Sequence, residues 1–563
     1  MRPKLISLCM IVKDEEESLG RCLESVRGVV DEIIVVDTGS SDRTVAIAEQ
    51  HAARVVSVPW QHDFSEARNA GIELADGEWI LFLDADERLD QEGYKLRQYA
   101  LQEQIAGLFL HIHNYVGNGS QGATINPVLR MFRNLPGCRF KGKIHEQIAS
   151  QIIERVPDAA FLMTDVKIHH YGYIHRTVVK KGKTDRNLRL LLEAIKEQPD
   201  EPFHRYNIGV EYLRAGNAES ALTSFQTAKE MIPSPEISYA HLIRKYEARC
   251  LQALGRLSSA IGSLREAIGI YEDYSDLYHY KASCHLALGQ FDEAKEAIEQ
   301  ALRLGPAPAG YHTEDGIGSY QSLYMLGQLF EAENQYDRAV EAYVEAIRLK
   351  SDLNPPLYRL FHIYRVLGRE ECLADLFHER FVIRSSQSAI KMISILIECR
   401  CYEAALKLAQ EKLPGSEHQA MTSTVHMLKM LSGGQIDEMK AFLEEREKTR
   451  GGETDFELRN FKAWLRWIEN NEKPEEESLW EDADIVIPAA YASGNKYAAS
   501  LFTEQWRHEA AGQHPDERKE ASEAISRALI TLADQHLASI GGRQHVQTLI
   551  RSARTLLPCK EGF

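Results

Sequence analysis

From Tyr206 onward the sequence repeats itself, and that repeat limits what the chain can fold into more than any other feature. Stretches beginning at Tyr206, Tyr280 and Tyr324 share one pattern. A small residue comes early (Gly209, Ala282, Gly327), a loop Gly or Asn follows (Gly216, Gly289, Asn334), and an Ala stands where two helices must cross (Ala221, Ala294, Ala339). A bulky residue follows four positions later, and a second Ala three after that. Ala260 marks another unit, and Leu373, Ala405 and Met439 mark weaker ones. Successive anchors lie 39, 34, 45, 34, 32 and 34 residues apart. Helix backbones approach closely only where side chains are small. The pattern therefore predicts paired helices stacked into a superhelix with a concave face.

The period is that of tetratricopeptide helix pairs. It does not reach the N-terminal third. There, residues 5–12, 33–36, 54–58 and 79–83 read as strands, and 16–29, 42–51 and 65–74 have helical spacing. Ser41 or Asp42 is placed to cap the helix over 42–51. Alternating strands and helices predict a doubly wound, mostly parallel α/β sheet with right-handed crossovers. Further strands are expected over 109–116 and 128–132. The expected division is 1–198 for the α/β domain, 199–455 for the repeats and 456–563 for a C-terminal helical cap or extra helical domain. Pro199 to Pro202 marks the first boundary.

A chain of 563 residues is too long for one core. Its net charge of −17 argues against nucleic-acid binding, which needs a basic surface. The nine Cys are scattered and form no CxxC pair, which fits a reduced cytoplasmic protein. No apolar run approaches the roughly 20 residues of a transmembrane segment. The apolar run Leu5–Val12 leads straight into Lys13-Asp14-Glu15-Glu16-Glu17 without a small-residue cleavage site, so a strand is expected there rather than a leader.

The chemistry concentrates at Asp84-Ala85-Asp86, which closes the apolar run Trp79–Leu83. Two carboxylates one residue apart at a strand end offer hard oxygen ligands that suit Mn²⁺ or Mg²⁺, and through it a diphosphate. Asp37 ends another strand. In open α/β sheets ligands sit beyond the carboxyl ends of the strands, so Asp37, Asp84 and Asp86 are expected at one site. Lys183 and Arg186 lie three apart at a helix start, where they can face the diphosphate together.

The segments "SLCMIVKDEE", "IIVVDTGSSDRT", "DFSEARNAG" and "GEWILFLDADE" resemble the nucleotide-sugar domain of glycosyltransferase family 2, which has a GT-A fold. The likeness continues through "RMFRNLPGCRFKGKIHEQI", "IHHYGY" and "KTDRN". It extends to a bacterial subgroup with lipopolysaccharide-core glucosyltransferases and sublancin-type peptide S-glycosyltransferases. The resemblance implies Asp86 as metal ligand, Asp84 at the ribose or the metal, and Asp37 at the uracil or ribose edge. It also implies Arg68 at base or phosphate, and His170 rather than His169 completing the metal shell. Val12 opens the first nucleotide-side loop, although Val12-Lys13-Asp14 departs from the commoner Pro-x-Tyr-Asn. The His-Glu pair His145-Glu146 stands where other members carry a catalytic acid. An inverting transfer needs a base near the acceptor. Glu146 is expected in that role, with His145 orienting it or the acceptor.

The resulting expectation is a metal-dependent inverting glycosyltransferase. It would move a hexosyl-type sugar from a nucleotide donor, by resemblance a UDP-sugar, to a protein or peptide acceptor selected by the repeats. Two alternatives stand beside it. In one the acceptor is a lipid-linked or polysaccharide sugar and the repeats bind a partner. In the other the chain is a non-enzymatic repeat scaffold. The acidic C-terminal half also leaves room for a homodimer.

Overall fold

The computed structural model describes residues 4–115, 123–144, 146–171 and 180–413, with isolated positions between 425 and 445. His145, Met439 and the segment 456–563 lie outside the described residues. The chain forms two compact units, 1–356 and 357–563.

The first unit opens with β1 (Ile6–Val12), whose apolar residues are buried because the sheet is covered on both faces. Then follow α1 (Leu19–Ser25), β2 (Glu32–Asp37), α2 (Thr44–Gln50), β3 (Arg54–Ser57), α3 (Phe64–Glu73) and β4 (Trp79–Phe82). These four strands are parallel in the order β3-β2-β1-β4, with Val12 beside Asp37 and Cys9 beside Phe82. The carboxyl ends of β1, β2 and β4 therefore share one edge. Gly71 lets α3 lie close on this sheet, because a Cβ there would stand 3.3 Å from Val36 and 3.5 Å from Cys9.

The second half of the sheet departs from the mostly parallel expectation. It comprises β5 (Glu87–Leu89), α4 (Lys95–Ala100), β6 (Ile105–Tyr115), β7 (Ala123–Arg133), α5 (Ala149–Arg155) and β8 (Ala160–His170). The order continues β4-β7-β6-β8-β5, with β7 antiparallel to both β4 and β6, and β5 antiparallel to β8. Only residues 116–122 separate β6 from β7, too few for the crossover of a dozen or more residues that a parallel pair needs. The result is a mixed sheet in the GT-A arrangement.

The helices that follow are α6 (Lys180–Glu197), α7 (Pro202–Arg214), α8 (Ala218–Met231), α9 (Ala240–Ala253), α10 (Leu257–Ile268), α11 (Ser275–Ala287), α12 (Phe291–Leu304), α13 (Tyr320–Ala332) and α14 (Tyr336–Leu349). A short strand, β9 (Thr313–Glu314), stands between α12 and α13. The repeat anchors Ala221, Ala260, Ala294 and Ala339 are fully buried, as are Phe225, Leu264, Ile298 and Tyr343 four residues on. Burying such a bulky side chain stabilises the array by roughly 1.5–3 kcal/mol. Gly327 is required at its crossing, since a Cβ there would meet the Tyr343 ring at 2.3 Å.

The second unit takes in most of α15 (Pro355–Val366), then α16 (Leu373–Arg380), α17 (Ser386–Glu398) and α18 (Tyr402–Lys412). Its anchors Leu373 and Ala405 are fully buried. No described helix is long and apolar enough to cross a membrane.

Candidate active site

The motif over residues 63–71 assembles one wall of the site. Asp63 caps α3 by accepting the Glu66 N–H at 3.1 Å. Ser65 donates to the Gly142 carbonyl at 2.6 Å, and the Lys143 carbonyl accepts the Phe64 N–H at 3.0 Å. Asn69 clamps Phe140 both ways, donating to its carbonyl at 3.0 Å and accepting its N–H at 2.8 Å. These bonds pin the 140–147 loop against α3. Arg68, one helical turn above Ser65, thereby meets Glu146, and its Nε donates to Glu146 Oε1.

Arg68 spans two carboxylates. Its Nη2 also lies 3.4 Å from Asp84 Oδ1, while its guanidinium packs over the Phe82 and Phe140 rings at 5.1 and 5.7 Å. Burial disfavours the Arg68 charge, but Glu146 and Asp84 outweigh it and hold the group firmly protonated. Its Nη1 is buried with no hydrogen-bond partner among the described residues. An orphaned cationic donor inside a carboxylate cluster is costly unless an anion meets it.

Asp84 is held from the other side by Arg130, whose Nη2 lies 3.2 Å from Asp84 Oδ2 and 2.6 Å from Glu87 Oε1. The depth of the site would raise the Asp84 pKa, but Arg130 and Arg68 hold it well below the usual carboxylate range. Glu87 goes the other way. Burial raises it, Arg130 opposes, and the neighbouring Asp84 charge raises it further. Glu87 also accepts the Asp84 N–H at 2.9 Å, which fixes the turn after β4. The nitrogen Nε of Arg130 is a second buried donor without a partner among the described residues.

Asp86 faces a different neighbour. The register that sets Glu87 opposite His170 brings Asp86 Oδ2 to 3.2 Å from His170 Nε2. The opposite ring nitrogen, Nδ1, lies 2.6 Å from Asn114 Oδ1, and Asn114 is the β6 residue in register with His170. With one proton on Nδ1 donated to Asn114, the contact with Asp86 calls for a second proton on Nε2, which a cation held between Asp86 and His170 would displace. Burial would lower the His170 pKa, but the Asp86 hydrogen bond and charge raise it above the ordinary imidazole value.

A divalent cation fits this donor set in part. Asp86 and His170 supply one carboxylate and one imidazole, and Asn114 is the outer-shell partner that such a histidine needs. Asp84 is turned to two guanidinium groups. Among the described residues no three His, Cys, Asp or Glu side chains form a ready metal cluster. The remaining positions on a cation would fall to diphosphate and water, as is usual for Mg²⁺.

Of the other residues named from sequence, Asp37 is buried at the end of β2, where its carboxylate accepts the Gly39 and Ser40 N–H groups at 3.1 Å. It shares the edge with β4 but lies two strands away, about 10 Å at ordinary strand spacing. The Val12 carbonyl accepts the Thr38 N–H at 3.0 Å, binding the two strand ends together. Arg186 does not join the carboxylates. It stacks over the Phe64 ring at 5.5 Å and bonds Asn187 Oδ1 at 3.2 Å. Lys183 belongs to α6, and its side chain lies outside the described residues. Sequence reasoning missed Arg130, Glu87 and Asn114. A signal existed for Arg130: a charged residue inside the strand-like Val128–Phe132 needs a partner where it is buried.

The sequence profile of glycosyl transferase family 2 matches residues 7–148, and tetratricopeptide repeat profiles match 251–313 and 320–353. A TPR repeat-containing protein of Synechococcus elongatus is 32% identical over 309 residues, covering 53% of this chain and 75% of that protein. The chain belongs to glycosyltransferase family 2. Glycosyltransferase SunS of Bacillus subtilis is 30% identical over 220 residues, 38% of this chain and 51% of SunS. An uncharacterized glycosyltransferase of Rickettsia typhi is 38% identical over 237 residues, 34% of this chain and 74% of that one. This chain thus spans three quarters of the cyanobacterial relative but about half of SunS. Among solved structures, glucosyl-3-phosphoglycerate synthase from Mycobacterium tuberculosis, in complex with Mn²⁺ and UDP, is 20% identical. Its TM-score is 0.24, covering 34% of this chain and 79% of that one, too low to carry an argument about this site. The family 2 profile spans Arg68, Asp84, Asp86, Arg130 and Glu146, and the carboxylate–arginine network therefore lies inside the glycosyltransferase domain.

Proposed function

We propose that this glycosyltransferase transfers a hexosyl-type sugar, with inversion, from a UDP-sugar to a protein or peptide acceptor read by its helical repeats. The single observation that carries the donor half is the pair of buried guanidinium nitrogens beside Asp84, Arg68 Nη1 and Arg130 Nε, that have no partner among the described residues. They fit an incoming anion, and a diphosphate is the anion this family uses. Asp86 and His170 would hold Mn²⁺ or Mg²⁺, which when bound supplies charge stabilisation for the leaving diphosphate. Asp37 and Val12 form the nucleotide-side end of the same edge, and Lys183 and Arg186 remain candidates for its phosphate side.

Glu146 serves as the base. In the structure the Arg68 guanidinium occupies its Oε1. A diphosphate competes for Arg68 and so releases Glu146 when donor is in place. Donor binding thereby arms the base, which limits wasteful hydrolysis. His145 would orient Glu146 or the acceptor.

The test is transfer from labelled UDP-sugars in the presence of Mn²⁺ and a host lysate. Label in protein supports the reading, and label in the lipid or polysaccharide fraction overturns the acceptor half. Glu146→Gln should lower turnover about 10²–10⁴-fold with no loss of donor affinity, since Gln competes less well than Glu for Arg68. Unchanged turnover would remove Glu146 from the chemistry.

A further inference from the structure

The longest interval in the repeat, 45 residues between Ala294 and Ala339, exceeds the period by eleven. The excess falls in residues 305–319, between α12 and α13. Where tetratricopeptide arrays offer their concave face to extended peptides, this chain places its own segment.

The inward face of α9 carries His241, Lys245 and Arg249 at four-residue spacing, a line along one side of a helix. Asp276 and Tyr280 repeat that spacing on α11. Together they read the segment residue by residue. Lys245 and Asp276, both fully buried, pair at 2.8 Å, and Lys245 also donates to the His312 carbonyl at 3.0 Å. Asp276 accepts from the Thr313 hydroxyl at 2.5 Å and from the Glu314 N–H at 3.3 Å. His241 Nε2 accepts the His312 N–H at 3.1 Å. Arg249 pairs with Glu314 at 3.1 Å, and the Tyr280 hydroxyl donates to the same carboxylate. The Tyr311 ring lies flat on Tyr274, with centroids 4.5 Å apart and 7° between planes.

The segment also continues into the transferase sheet. β9 pairs antiparallel with the N-terminal end of β7, Thr313 opposite Ile125 and Glu314 opposite Thr124, and the Ala123 carbonyl accepts the Asp315 N–H at 2.7 Å. That stretch of β7 runs beyond β4, whose pairing covers only Met131–Arg133, and β9 covers the edge that would otherwise stand open. Strand addition to a sheet edge is a recurring mode of peptide recognition.

We propose that the concave face of α9 and α11 is a peptide-binding groove whose resident ligand is this chain's own Tyr311–Asp315, and that β9 uses this grip to fasten the repeats to the transferase sheet. The groove takes an extended segment with an aromatic residue, a hydroxyl and an acidic side chain in succession. It is filled, so a polypeptide acceptor is read by the parts of the array that the segment leaves open. This inference is independent of the donor and of the acceptor's identity.

Two measurements on the full chain test it. Hydrogen exchange should find the amides of His312, Glu314 and Asp315 as protected as those in α9 and α11, at least 100-fold slower than an unstructured peptide; exchange at the unstructured rate overturns the proposal. In the second, Tyr311–Asp315 are replaced by Gly-Ser-Gly-Ser-Gly and a fluorescein-labelled peptide of residues 308–319 is titrated. The replaced chain should bind it at least tenfold more tightly than the wild type does, and a further Lys245→Met should abolish that gain. Equal binding to replaced and wild-type chains contradicts a peptide groove. Should the replaced chain not fold, the exchange result alone decides.

Discussion

The transferase site and the repeat groove are both networks of charge, but they leave different groups open. Around Lys245 and Asp276 the ammonium, the carboxylate and the backbone of the inserted segment satisfy one another, and an atom left without a partner among the described residues is Nδ1 of the His312 imidazole, whose pKa burial and the Lys245 charge push well down. Around Asp84 the open atoms are cationic, because Arg68 Nη1 and Arg130 Nε have no partner among the described residues. Satisfied buried polar groups fix one structure, whereas unsatisfied ones are retained where a ligand completes them. What distinguishes the transferase site is that its open atoms are cationic donors set among carboxylates, whereas the groove's charged pair is closed by the inserted segment.

The sharpest way to break that contrast is to remove one member of each kind. Asp86→Ala should lower metal-dependent transfer by about 10³-fold, the upper range for losing one electrostatic stabiliser, while thermal unfolding stays near wild type. A sugar-transfer assay with a melting curve checks both halves. Arg130→Met leaves Glu87 buried beside Asp84 with its cation gone, so urea unfolding should show a loss of about 3 kcal/mol in addition to lost activity. A stability unchanged by this variant would mean the network is not a structural element.

Smaller effects sharpen the repeat side. Gly327→Ala drives a methyl against Tyr343, and equilibrium unfolding should register about 1–3 kcal/mol of overpacking while donor binding is unaffected. Acidification should act on the groove more gently. Burial, and then the charge of Lys245, push His241 down to about 3, so it stays neutral when folded. The unfolded imidazole, at about 6.5, takes up a proton first. Its contribution is therefore whole above about pH 6.5 and declines by about 1.4 kcal/mol per pH unit as pH falls toward 3. Unfolding free energies at pH 7 and pH 5 measure it, and the difference should shrink in His241→Gln.

Much of this was legible in the sequence, and for unequal reasons. The repeat anchors Ala221, Ala294 and Ala339 were readable because close crossing excludes other side chains, and period alone reveals that. The first parallel strands were readable because burial on both faces makes them uniformly apolar. The mixed half was not, since the direction of β7 depends on pairing rather than on local pattern. Asp84 and Asp86 were legible as a pair but not in their division of labour. One meets arginines from α3 and β7 and the other a histidine from β8, contacts made across 16 to 84 residues of sequence. The role of residues 311–315 was invisible for the same reason: only the excess spacing hinted at an insertion.

The most direct test is a calorimetric titration of UDP into the full chain, once with Mn²⁺ and once with EDTA. The account predicts binding at least tenfold tighter with the metal, an advantage lost in Asp86→Ala and in His170→Ala. Equal UDP affinity in Mn²⁺ and EDTA, unchanged by either substitution, would contradict it.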